Sequence, residues 1–347
     1  MTLLSRIEQE NKMNAYNFAI VGATGLVGRT FLKVLEEYKM PVRNLRLFAS
    51  PASKGKKLPF CGKEYEVEEL REGCFSDTDY ALFSAGANVS GIWAPIAAKE
   101  GAYVIDNSSQ WRMEKDCALI VPEINPEDYR GKSRIIANPN CSTIQSVLPL
   151  KVLDELFHVK SVHYTTYQAV SGSGKKGIDD LERTRKGEEK QFYPYDISRT
   201  CIPEIDVFFD DGYTKEEHKM INETRKILHS EDLRISSTCI RVPVKVSHGV
   251  VIEAEAEKEI DLAKARETFR NQDGIVLLDD PKNHIYPVST IAEGTDKVYV
   301  GRIRKDLASE NGILLYCVAD NVRKGAASNA VQIALKLIED REHAESL

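Results

Sequence analysis

The sequence predicts an α/β protein with a Rossmann-type doubly wound parallel sheet, followed by a second α+β domain. Three observations favour this fold class. Short apolar strand-like runs alternate with helical patterns up to about Cys141. A glycine-rich turn follows the first of these runs. The length of 347 residues exceeds what one ordinary core encloses and indicates two domains, at roughly 150 residues each.

The predicted strands of the first domain end in small polar residues. These strands, and one helix between them, are predicted at Asn17–Val21, Asn44–Ala49, Tyr80–Ser84, Ile92–Glu100 (the helix), Tyr103–Asp106 and Arg134–Ala137. The carboxyl ends of parallel strands meet at one edge of a sheet, where ligands bind. We therefore expect Ser84–Gly86, Asn107–Ser109 and Asn138–Cys141 to lie along this edge, although each segment alone is also typical of an ordinary turn.

Glycines at positions 22, 25 and 28 form a G-x-x-G-x-x-G turn between the first strand and a helix that runs to about Tyr38. Such a turn lets the backbone approach a pyrophosphate and places that group at a helix N-terminus. The flanking strand and helix strengthen the motif. The turn therefore predicts a dinucleotide site, and the alternative is a glycine-rich turn that binds nothing.

One cysteine, Cys141, follows Asn138-Pro139-Asn140 and precedes a helix-compatible Ser-Thr pair. A thiol at a helix N-terminus has a lowered pKa, because the helix dipole and the backbone N–H groups favour the thiolate. This position predicts a nucleophile. The alternative is that Cys141 is a small buried hydrophobe, as most cysteines are.

Composition excludes several classes of function. A net charge of −6 and a pI near 5.8 argue against a nucleic-acid partner or a polybasic membrane surface. No apolar run approaches the ~20 residues that span a bilayer. Residues 1–14 include Glu8 and Glu10, so we expect a short extension there rather than a secretion signal, with Met13 as an alternative start.

The cysteines give no sign of a structural disulfide or metal site. Their number is seven, which is odd, and no C-x-x-C pair occurs. We expect neither a disulfide framework nor a bound metal, and a reducing cytoplasmic setting.

Longer strands and amphipathic helices begin at about Lys151. A strand is predicted over Val159–Val170, and a charged helix over Ile178–Lys190. Thr214 opens another helix with a capping box that explains Glu217. Glu216 and Lys219 lie one turn apart on that helix, which is also the pattern of a solvated ion pair of little energetic value.

Alternating apolar residues predict a strand over Ile240–Val246, with Arg241 on the face opposite its valines. Ser247-His248-Gly249 is predicted to turn. Taken alone, Arg241 is typical of an exposed sheet cation and His248 of a turn residue. A last helix from about Ala326 carries an apolar face and is predicted to pack back on the first domain.

These residues resemble those of the aspartate-semialdehyde dehydrogenase family, along nearly the whole chain from about Tyr16 to Glu339. The matching segments, in order, are Gly22–Gly28, Ser84–Gly86, Asn107–Arg112, Asn138–Thr143, Gln168–Gly174, Glu216–Leu228, Arg241–Gly249, Tyr299–Asp306 and Asp320–Gln332. The resemblance implies NADPH-dependent reductive dephosphorylation of L-4-aspartyl phosphate to L-aspartate 4-semialdehyde. That reaction feeds lysine (through diaminopimelate), methionine and threonine biosynthesis.

The resemblance also implies three catalytic residues. Cys141 would attack the acyl phosphate and carry a thioacyl intermediate, which divides the reduction into two easier steps. His248 would be the general acid–base, with an imidazole that titrates near neutral pH. Gln168 would position the substrate beside the cysteine.

Substrate-binding residues follow from the same resemblance and from the charges of an amino acid that bears a phosphate. Arg241 would hold the α-carboxylate bidentately, and Glu216 would bind the ammonium. Arg112 and Lys219 would hold the leaving phosphate, with Asn140 nearby.

The implied coenzyme is NADP, with NAD as the alternative. The implied coenzyme-binding residues are Gly22, Thr24, Gly25, Leu26, Val27, Gly28, Ala52, Ser53, Ser84, Gly86, Ser171, Gly172 and Asn321. One departure from the family stands out, because Ala52 occupies the place of an arginine that binds the 2′-phosphate of NADP. Ser53, Lys54 or Lys56 could replace that arginine, and no acidic residue in this segment obviously favours a free ribose hydroxyl.

Two alternatives to this function stay open from the sequence. One is an N-acetyl-gamma-glutamyl-phosphate reductase, whose usual Asn-Pro-Gly-Cys-Tyr motif differs here at Asn140 and Ser142. The other is a catalytically silent NADP-binding paralogue.

The resemblance completes the expected organisation. It implies an NADP-binding domain at 15–140, a catalytic and dimerisation domain at 141–325, and a returning helix at 326–347. We expect a homodimer or a dimer of dimers.

Overall fold

The computed structural model describes residues 15–345, so the predicted N-terminal extension lies outside the described residues. The described chain divides into two compact units. The first comprises residues 15–122, 126–138 and 327–345, and the second comprises residues 123–125 and 139–326.

The first unit contains a sheet in the order β3-β4-β2-β1-β5-β6-β8-β7. Its strands are β1 (Tyr16–Val21), β2 (Val42–Phe48), β3 (Lys57–Phe60), β4 (Lys63–Glu68), β5 (Tyr80–Phe83), β6 (Tyr103–Asp106), β7 (Ala118–Leu119) and β8 (Ile135–Ala137). All neighbouring strands pair in parallel except β3 and β4, which form an antiparallel hairpin at one edge. The predicted doubly wound parallel sheet is confirmed.

Apolar side chains cover both faces of this sheet, because successive residues of a strand point to opposite sides. Ile20 of β1 joins a core made with α1 (Leu26–Glu37) and α8 (Ser328–Glu345). Val21 joins a second core, with α2 (Ala87–Lys99). The predicted return of the last helix to the first domain is confirmed.

The turn between β1 and α1 depends on two of its glycines. Gly22 has a φ of +90°, and a Cβ atom there would lie 2.7 Å from the carbonyl oxygen of Ser84. A Cβ on Gly28 would lie 2.2 Å from the carbonyl oxygen of Gly22. Only glycine fits such close backbone approaches, so helix and strand pack here without side chains between them.

The second unit contains a mixed sheet in the order β10-β9-β11-β14-β13-β12. Its strands are β9 (Val159–Gln168), β10 (Arg234–Arg241), β11 (His248–Ala256), β12 (Ile275–Leu277), β13 (Val298–Lys305) and β14 (Gly312–Ala319). Its helices are α3 (Cys141–Phe157), α4 (Gly174–Arg185), α5 (Lys215–Leu228), α6 (Leu262–Asn271) and the short α7 (Ser289–Ala292). The parallel pairing of β9 and β10 sets Gln168 opposite Arg241 at the ends of the two strands.

The predicted strand over Ile240–Val246 is wrong, since β10 ends at Arg241. Pro243 has no N–H group to donate to a neighbouring strand, and the chain turns until Ser247, whose φ is +75°. His248 then begins β11 instead of lying in a turn. Val242, Val244 and Val246 alternate with other residues because their side chains are buried or half-buried in the loop that follows β10.

The capping box predicted at Thr214 is confirmed. The Thr214 hydroxyl accepts the Glu217 N–H at 3.3 Å, and the Glu217 carboxylate accepts the Thr214 N–H at 2.6 Å. Glu217 also accepts the N–H of Cys239 at 2.9 Å, which ties α5 to β10. Among residues 15–345, no helix has the length and apolar content needed to cross a membrane.

The close packing of the glycine turn gives a test of stability. We expect Gly28→Ala to destabilise the protein by about 1–3 kcal/mol, because the added methyl overlaps a carbonyl oxygen. Gly91→Ala, in α2, is the matched control, since its Cβ would meet Gln110 only at 3.6 Å. There we expect a gain of up to ~1 kcal/mol from the better helix propensity of alanine. Urea unfolding of both variants checks this, and equal effects would contradict the close approach.

Candidate active site

Cys141 is the first residue of α3, and Asn140 caps that helix. The Asn140 side-chain oxygen accepts the N–H groups of Ser142 at 2.9 Å and Thr143 at 3.3 Å. The chain is therefore fixed in orientation on both sides of the thiol. The predicted place of Cys141 at a helix N-terminus is confirmed.

Three buried thiols differ from Cys141 in their environment. Burial raises the pKa of Cys239 and of Cys317 to about 12. Burial also raises the pKa of Cys74. Cys141 is only half-buried and lies at the positive end of a helix, where a thiolate is stabilised.

A buried carboxylate, Glu216, joins three of the predicted site residues. Its Oε1 accepts hydrogen bonds from the Asn140 side-chain amide at 2.8 Å and from the Gln168 amide at 3.0 Å. Its Oε2 accepts one from Lys219 Nζ at 3.0 Å. Burial raises the pKa of Glu216, but Lys219 and the two amides outweigh burial and lower it to about 2. Glu216 is therefore an anion at neutral pH.

Lys219 lies between two carboxylates. Its Nζ is 2.8 Å from Asp206 Oδ2 and 3.0 Å from Glu216 Oε2, and its side chain is only 18% exposed. Burial lowers the pKa of Lys219, but the two carboxylates outweigh burial. The pKa of Lys219 is therefore raised above its ordinary value. The spacing of Glu216 and Lys219 in the sequence was also compatible with a solvated ion pair. In the structure the two residues instead belong to a largely buried network.

His248 is fully buried, and its ring orientation follows from one backbone hydrogen bond. The Ala169 N–H donates to His248 Nδ1 at 2.9 Å, so the proton of the neutral ring belongs on Nε2. His248 Nε2 is buried and makes no hydrogen bond within residues 15–345. Burial, with a contribution from Arg241, lowers the pKa of His248 to about 3. The expectation that this imidazole titrates near neutral pH is therefore wrong.

Arg241 converges on the same peptide segment. Its Nη1 donates to the carbonyl oxygen of Ala169 at 2.8 Å, and the residue is buried rather than exposed on the sheet. A Cβ on Gly172 would lie 2.8 Å from Arg241 Nη1 and 3.3 Å from His248 Nε2. Both side chains therefore border the space that the missing Gly172 side chain leaves.

Asn321 holds the loop that precedes His248. Its Oδ1 accepts the Ser247 N–H at 2.9 Å, and its Nδ2 donates to the Ser171 hydroxyl at 2.9 Å. The segment after β9 and the start of β11 are thus fixed to each other. In this structure, Asn321 orients the backbone on either side of the Arg241–His248 cluster.

Three contacts of the second unit, two of them made directly with Cys141 or Asn140, were not anticipated from the sequence. Glu223 Oε2 accepts the Asn140 N–H at 2.6 Å. A Cβ on Gly325 would lie 2.9 Å from the Cβ of Cys141, in a π-helical turn at Arg323–Ala327. In the same turn, the fully buried Lys324 Nζ is 2.6 Å from Glu123 Oε1. Of these contacts, only the one at Gly325 had a signal in the sequence, because a close approach of the backbone to another residue favours glycine.

The first unit has a cavity of about 520 Å³ beside the glycine turn. Of the predicted coenzyme-binding residues, those that line it are Gly22, Thr24, Gly25 and Ser84. Lining residues not anticipated from the sequence include Ser50, Pro51, Glu69, Leu70, Val89 and Trp93. Glu69 follows β4, outside the segment after β2 that was considered from the sequence, and it brings an acidic side chain to the cavity.

The remaining predicted coenzyme-binding residues lie in both units. Leu26, Val27 and Gly28 open α1, Ala52 and Ser53 lie in a 3₁₀ turn after β2, and Gly86 caps α2. Ser171 and Gly172 lie in a 3₁₀ turn of the second unit.

Arg112, predicted to bind phosphate, belongs to the first unit and is buried. Its Nη2 donates to the carbonyl oxygen of Asn107 at 2.7 Å. Within residues 15–345, no group of three or more His, Cys, Asp or Glu side chains is arranged to hold a metal ion.

Two family models match most of this chain. The family model "Semialdehyde dehydrogenase, NAD binding domain" matches residues 17–132, and "Semialdehyde dehydrogenase, dimerisation domain" matches residues 150–324. The aspartate-semialdehyde dehydrogenase of Aquifex aeolicus is 54% identical over 335 residues, which cover 94% of this chain and 98% of that protein. This chain belongs to the aspartate-semialdehyde dehydrogenase family.

Solved structures agree with that membership. Aspartate semialdehyde dehydrogenase II of Vibrio cholerae, complexed with ASA, has a TM-score of 0.90 and 44% identity, covering 94% of this chain and 99% of that one. The Candida albicans aspartate semialdehyde dehydrogenase with NADP has a TM-score of 0.74 and 26% identity, covering 93% and 98%. Neither alternative function weighed from the sequence is supported by these relatives.

The low pKa of His248 predicts a pH dependence of stability. The unfolded histidine gains a proton below about pH 6.5 while the folded one does not until about pH 3. Protons then favour the unfolded state, so His248 should reduce the free energy of unfolding by up to ~1.4 kcal/mol per pH unit as the pH falls through this range.

Urea unfolding between pH 7 and 4 measures this effect. His248→Asn should remove that part of the slope. His284→Asn, at an exposed left-handed turn position, should keep it. The assignment fails if wild type and His248→Asn lose stability in parallel.

Proposed function

We propose that this protein catalyses the NADPH-dependent reductive dephosphorylation of L-4-aspartyl phosphate to L-aspartate 4-semialdehyde. The observation that carries the proposal is the network around Glu216. It links Asn140, the residue before the candidate nucleophile Cys141, to Gln168 and Lys219 by hydrogen bonds of 2.8 to 3.0 Å. The names of the relatives point to the same reaction, which feeds lysine (through diaminopimelate), methionine and threonine biosynthesis.

Cys141 would act as the nucleophile. Its thiolate attacks the acyl carbon of the substrate, the bond to the phosphate oxygen breaks, and phosphate leaves. The aspartyl group is then a thioester on Cys141 Sγ. When bound, the coenzyme supplies the hydride that reduces this thioester, and the resulting thiohemiacetal releases the aldehyde and regenerates the thiolate.

His248 would act through Nε2–H. Because Nδ1 accepts the Ala169 N–H, the neutral ring presents a donor rather than a base at Nε2. Such a donor stabilises by a hydrogen bond the negative oxygen that develops at each tetrahedral stage. The oxyanion of the thiohemiacetal then collapses directly to the aldehyde and the thiolate. The helix N-terminus, rather than His248, would favour the Cys141 thiolate.

The charged groups match the charges of the substrate. Arg241 would bind the α-carboxylate, since its buried Nε has no hydrogen-bond partner in the described chain. The Glu216 anion would bind the ammonium. Lys219 would bind the phosphate together with Arg112, exchanging its contact with Asp206 for the phosphate oxygens. Gln168 and Asn140 would position the substrate, as their shared bond to Glu216 orients both amides.

The first unit fits a dinucleotide. Its cavity is lined by a glycine turn in which added Cβ atoms would overlap the backbone, as close approach to a pyrophosphate requires. Residues Gly22–Gly28 would hold the phosphates at the start of α1, with the segments at Ala52–Ser53 and Ser84–Gly86 bordering the nucleoside. In the second unit, we propose Ser171, Gly172 and Asn321 as further coenzyme-binding residues. We propose NADP as the coenzyme, with NAD as the alternative.

The organisation and location form part of the proposal. Residues 15–140, with the C-terminal segment 326–347, would be the NADP-binding domain, and 141–325 the catalytic and dimerisation domain. The match to a dimerisation-domain model supports a homo-oligomer, for which we propose a homodimer or a dimer of dimers. The seven cysteines form no disulfide with one another in the described chain, and we propose a reducing, cytoplasmic location.

Removal of the nucleophile tests the mechanism. We expect Cys141→Ala to lose turnover by about 10³-fold or more, because no thioester forms. Coenzyme affinity should change less than about twofold. Phosphate-dependent formation of NADPH from L-aspartate 4-semialdehyde measures turnover, with Cys201→Ala, an exposed cysteine, as the matched control. Substantial turnover by Cys141→Ala would remove this residue from its role.

Phosphate binding by Lys219 is tested separately. Lys219→Ala should raise the phosphate KM by about tenfold and change kcat only a few-fold, because the ammonium contributes mainly to binding. Lys215→Ala, at the exposed start of the same helix, should leave both constants near wild type. An unchanged phosphate KM in Lys219→Ala would refute the assignment.

A further inference from the structure

The cavity of the first unit extends from the glycine turn to the carboxyl ends of β2 and β4. Ser50 and Pro51 follow β2, Glu69 and Leu70 follow β4, and all four line the cavity. The strands β2 and β4 are parallel neighbours, with Phe48 opposite Glu68. The residues that follow them are therefore at the same edge of the sheet.

In doubly wound folds, the end of the second strand receives the ribose of the adenosine. An acidic residue there accepts a hydrogen bond from a free 2′-hydroxyl, and a cation there pairs with a 2′-phosphate. Here the residues directly after β2 are Ala49 and Ser50, which carry no charge. Among the described residues that line the cavity, Glu69 is the charged one.

Glu69 is held by a neighbouring cation. Lys54 Nζ lies 2.8 Å from Glu69 Oε2, and the two side chains are 63% and 38% exposed. An exposed pair of this kind contributes little to stability, about 0–1 kcal/mol. Either partner can therefore exchange the other for a ligand at small cost.

Two hydroxyls and a second lysine lie close to this pair. Ser53, in the turn just before Lys54, has its Oγ 3.4 Å from both Thr24 Oγ1 and Lys56 Nζ. Thr24 belongs to the glycine turn itself. A phosphate at this position would meet hydroxyl donors and two cations, whereas a hydroxyl would meet the Glu69 carboxylate.

We propose that the Glu69–Lys54 pair determines the choice of coenzyme and lets this chain bind both NADP and NAD. Glu69 accepts the ribose 2′-hydroxyl of NAD. With NADP, Lys54 leaves Glu69 and pairs with the 2′-phosphate, in the role that an arginine at position 52 would have filled. The proposal rests on the proposed function in one respect, which is that this cavity binds a nicotinamide coenzyme.

Equilibrium binding to the full-length protein tests the proposal without catalysis. Trp93 lines the cavity, so its fluorescence reports binding of NADPH and NADH directly. We expect Glu69→Gln to raise the Kd of NADH about tenfold and to leave the Kd of NADPH unchanged or lower. Lys54→Gln should raise the Kd of NADPH about tenfold and leave that of NADH unchanged or lower.

A second exposed ion pair on the same hairpin serves as the control. Lys57 and Glu64 are 3.7 Å apart, are 60% and 66% exposed, and do not line the cavity. Lys57→Gln and Glu64→Gln should change neither Kd by more than about twofold. The thermal unfolding of all four variants should match wild type, because every substituted side chain is at least partly exposed.

The outcomes separate the two proposals. If neither NADPH nor NADH binds to the wild-type protein, the proposed function fails. If both bind but the ratio of their Kd values is the same in wild type, Glu69→Gln and Lys54→Gln, the coenzyme-selecting role of this pair is overturned. A ratio that moves in opposite directions in the two variants supports it.

Discussion

The second unit is organised around the burial of one negative charge. A carboxylate removed from water is costly unless cations and hydrogen-bond donors surround it. Glu216 is 5% exposed and satisfies this requirement with the amides of Asn140 and Gln168 and the ammonium of Lys219. These three donors come from the start of α3, the end of β9 and the next turn of α5. The hydrogen bonds to the Glu216 carboxylate therefore hold these three elements together. They also fix the side chain of Asn140, the residue that precedes Cys141.

A single peptide segment organises the other half of this cluster. Ala169 follows Gln168 directly, and its N–H and C=O groups fix His248 and Arg241 respectively. The orientation of both side chains thus depends on the path of the chain where β9 ends. Asn321 stabilises that path by bridging Ser171 and Ser247. The orientations of the imidazole and the guanidinium are therefore fixed by the fold itself, as the proposed electrostatic role of these groups requires.

Local signals predicted the parallel sheet, the glycine turn, the helix start at Cys141 and the capping box at Thr214. Each depends on residues close together in the chain, where periodicity and capping chemistry act. Burial of Glu216, Lys219 and Arg241 was not predictable in this way, since their partners come from distant segments. The predicted strand over Ile240–Val246 was wrong although its apolar residues alternate, because Pro243 has no N–H group to donate and the chain leaves the strand after Arg241. The low pKa of His248 likewise requires knowledge of the burial that its neighbours impose.

Strand β4 was not predicted from the sequence, and this affected the interpretation of the coenzyme site. The segment Lys63–Glu68 alternates charged residues with Tyr65 and Val67. This apolar pattern is weak, because one face of the strand is exposed to solvent. If β4 is not placed in the sheet, nothing predicts that Glu69 lies near the end of β2. Ala52 then indicates only that a positive charge is absent from the coenzyme site. With β4 beside β2, the same region carries a carboxylate and a lysine that neutralise each other. In the proposed role of this pair, an uncharged Ala52 changes the balance between two coenzymes instead of abolishing the site, because Glu69 and Lys54 can each be released to a different ligand.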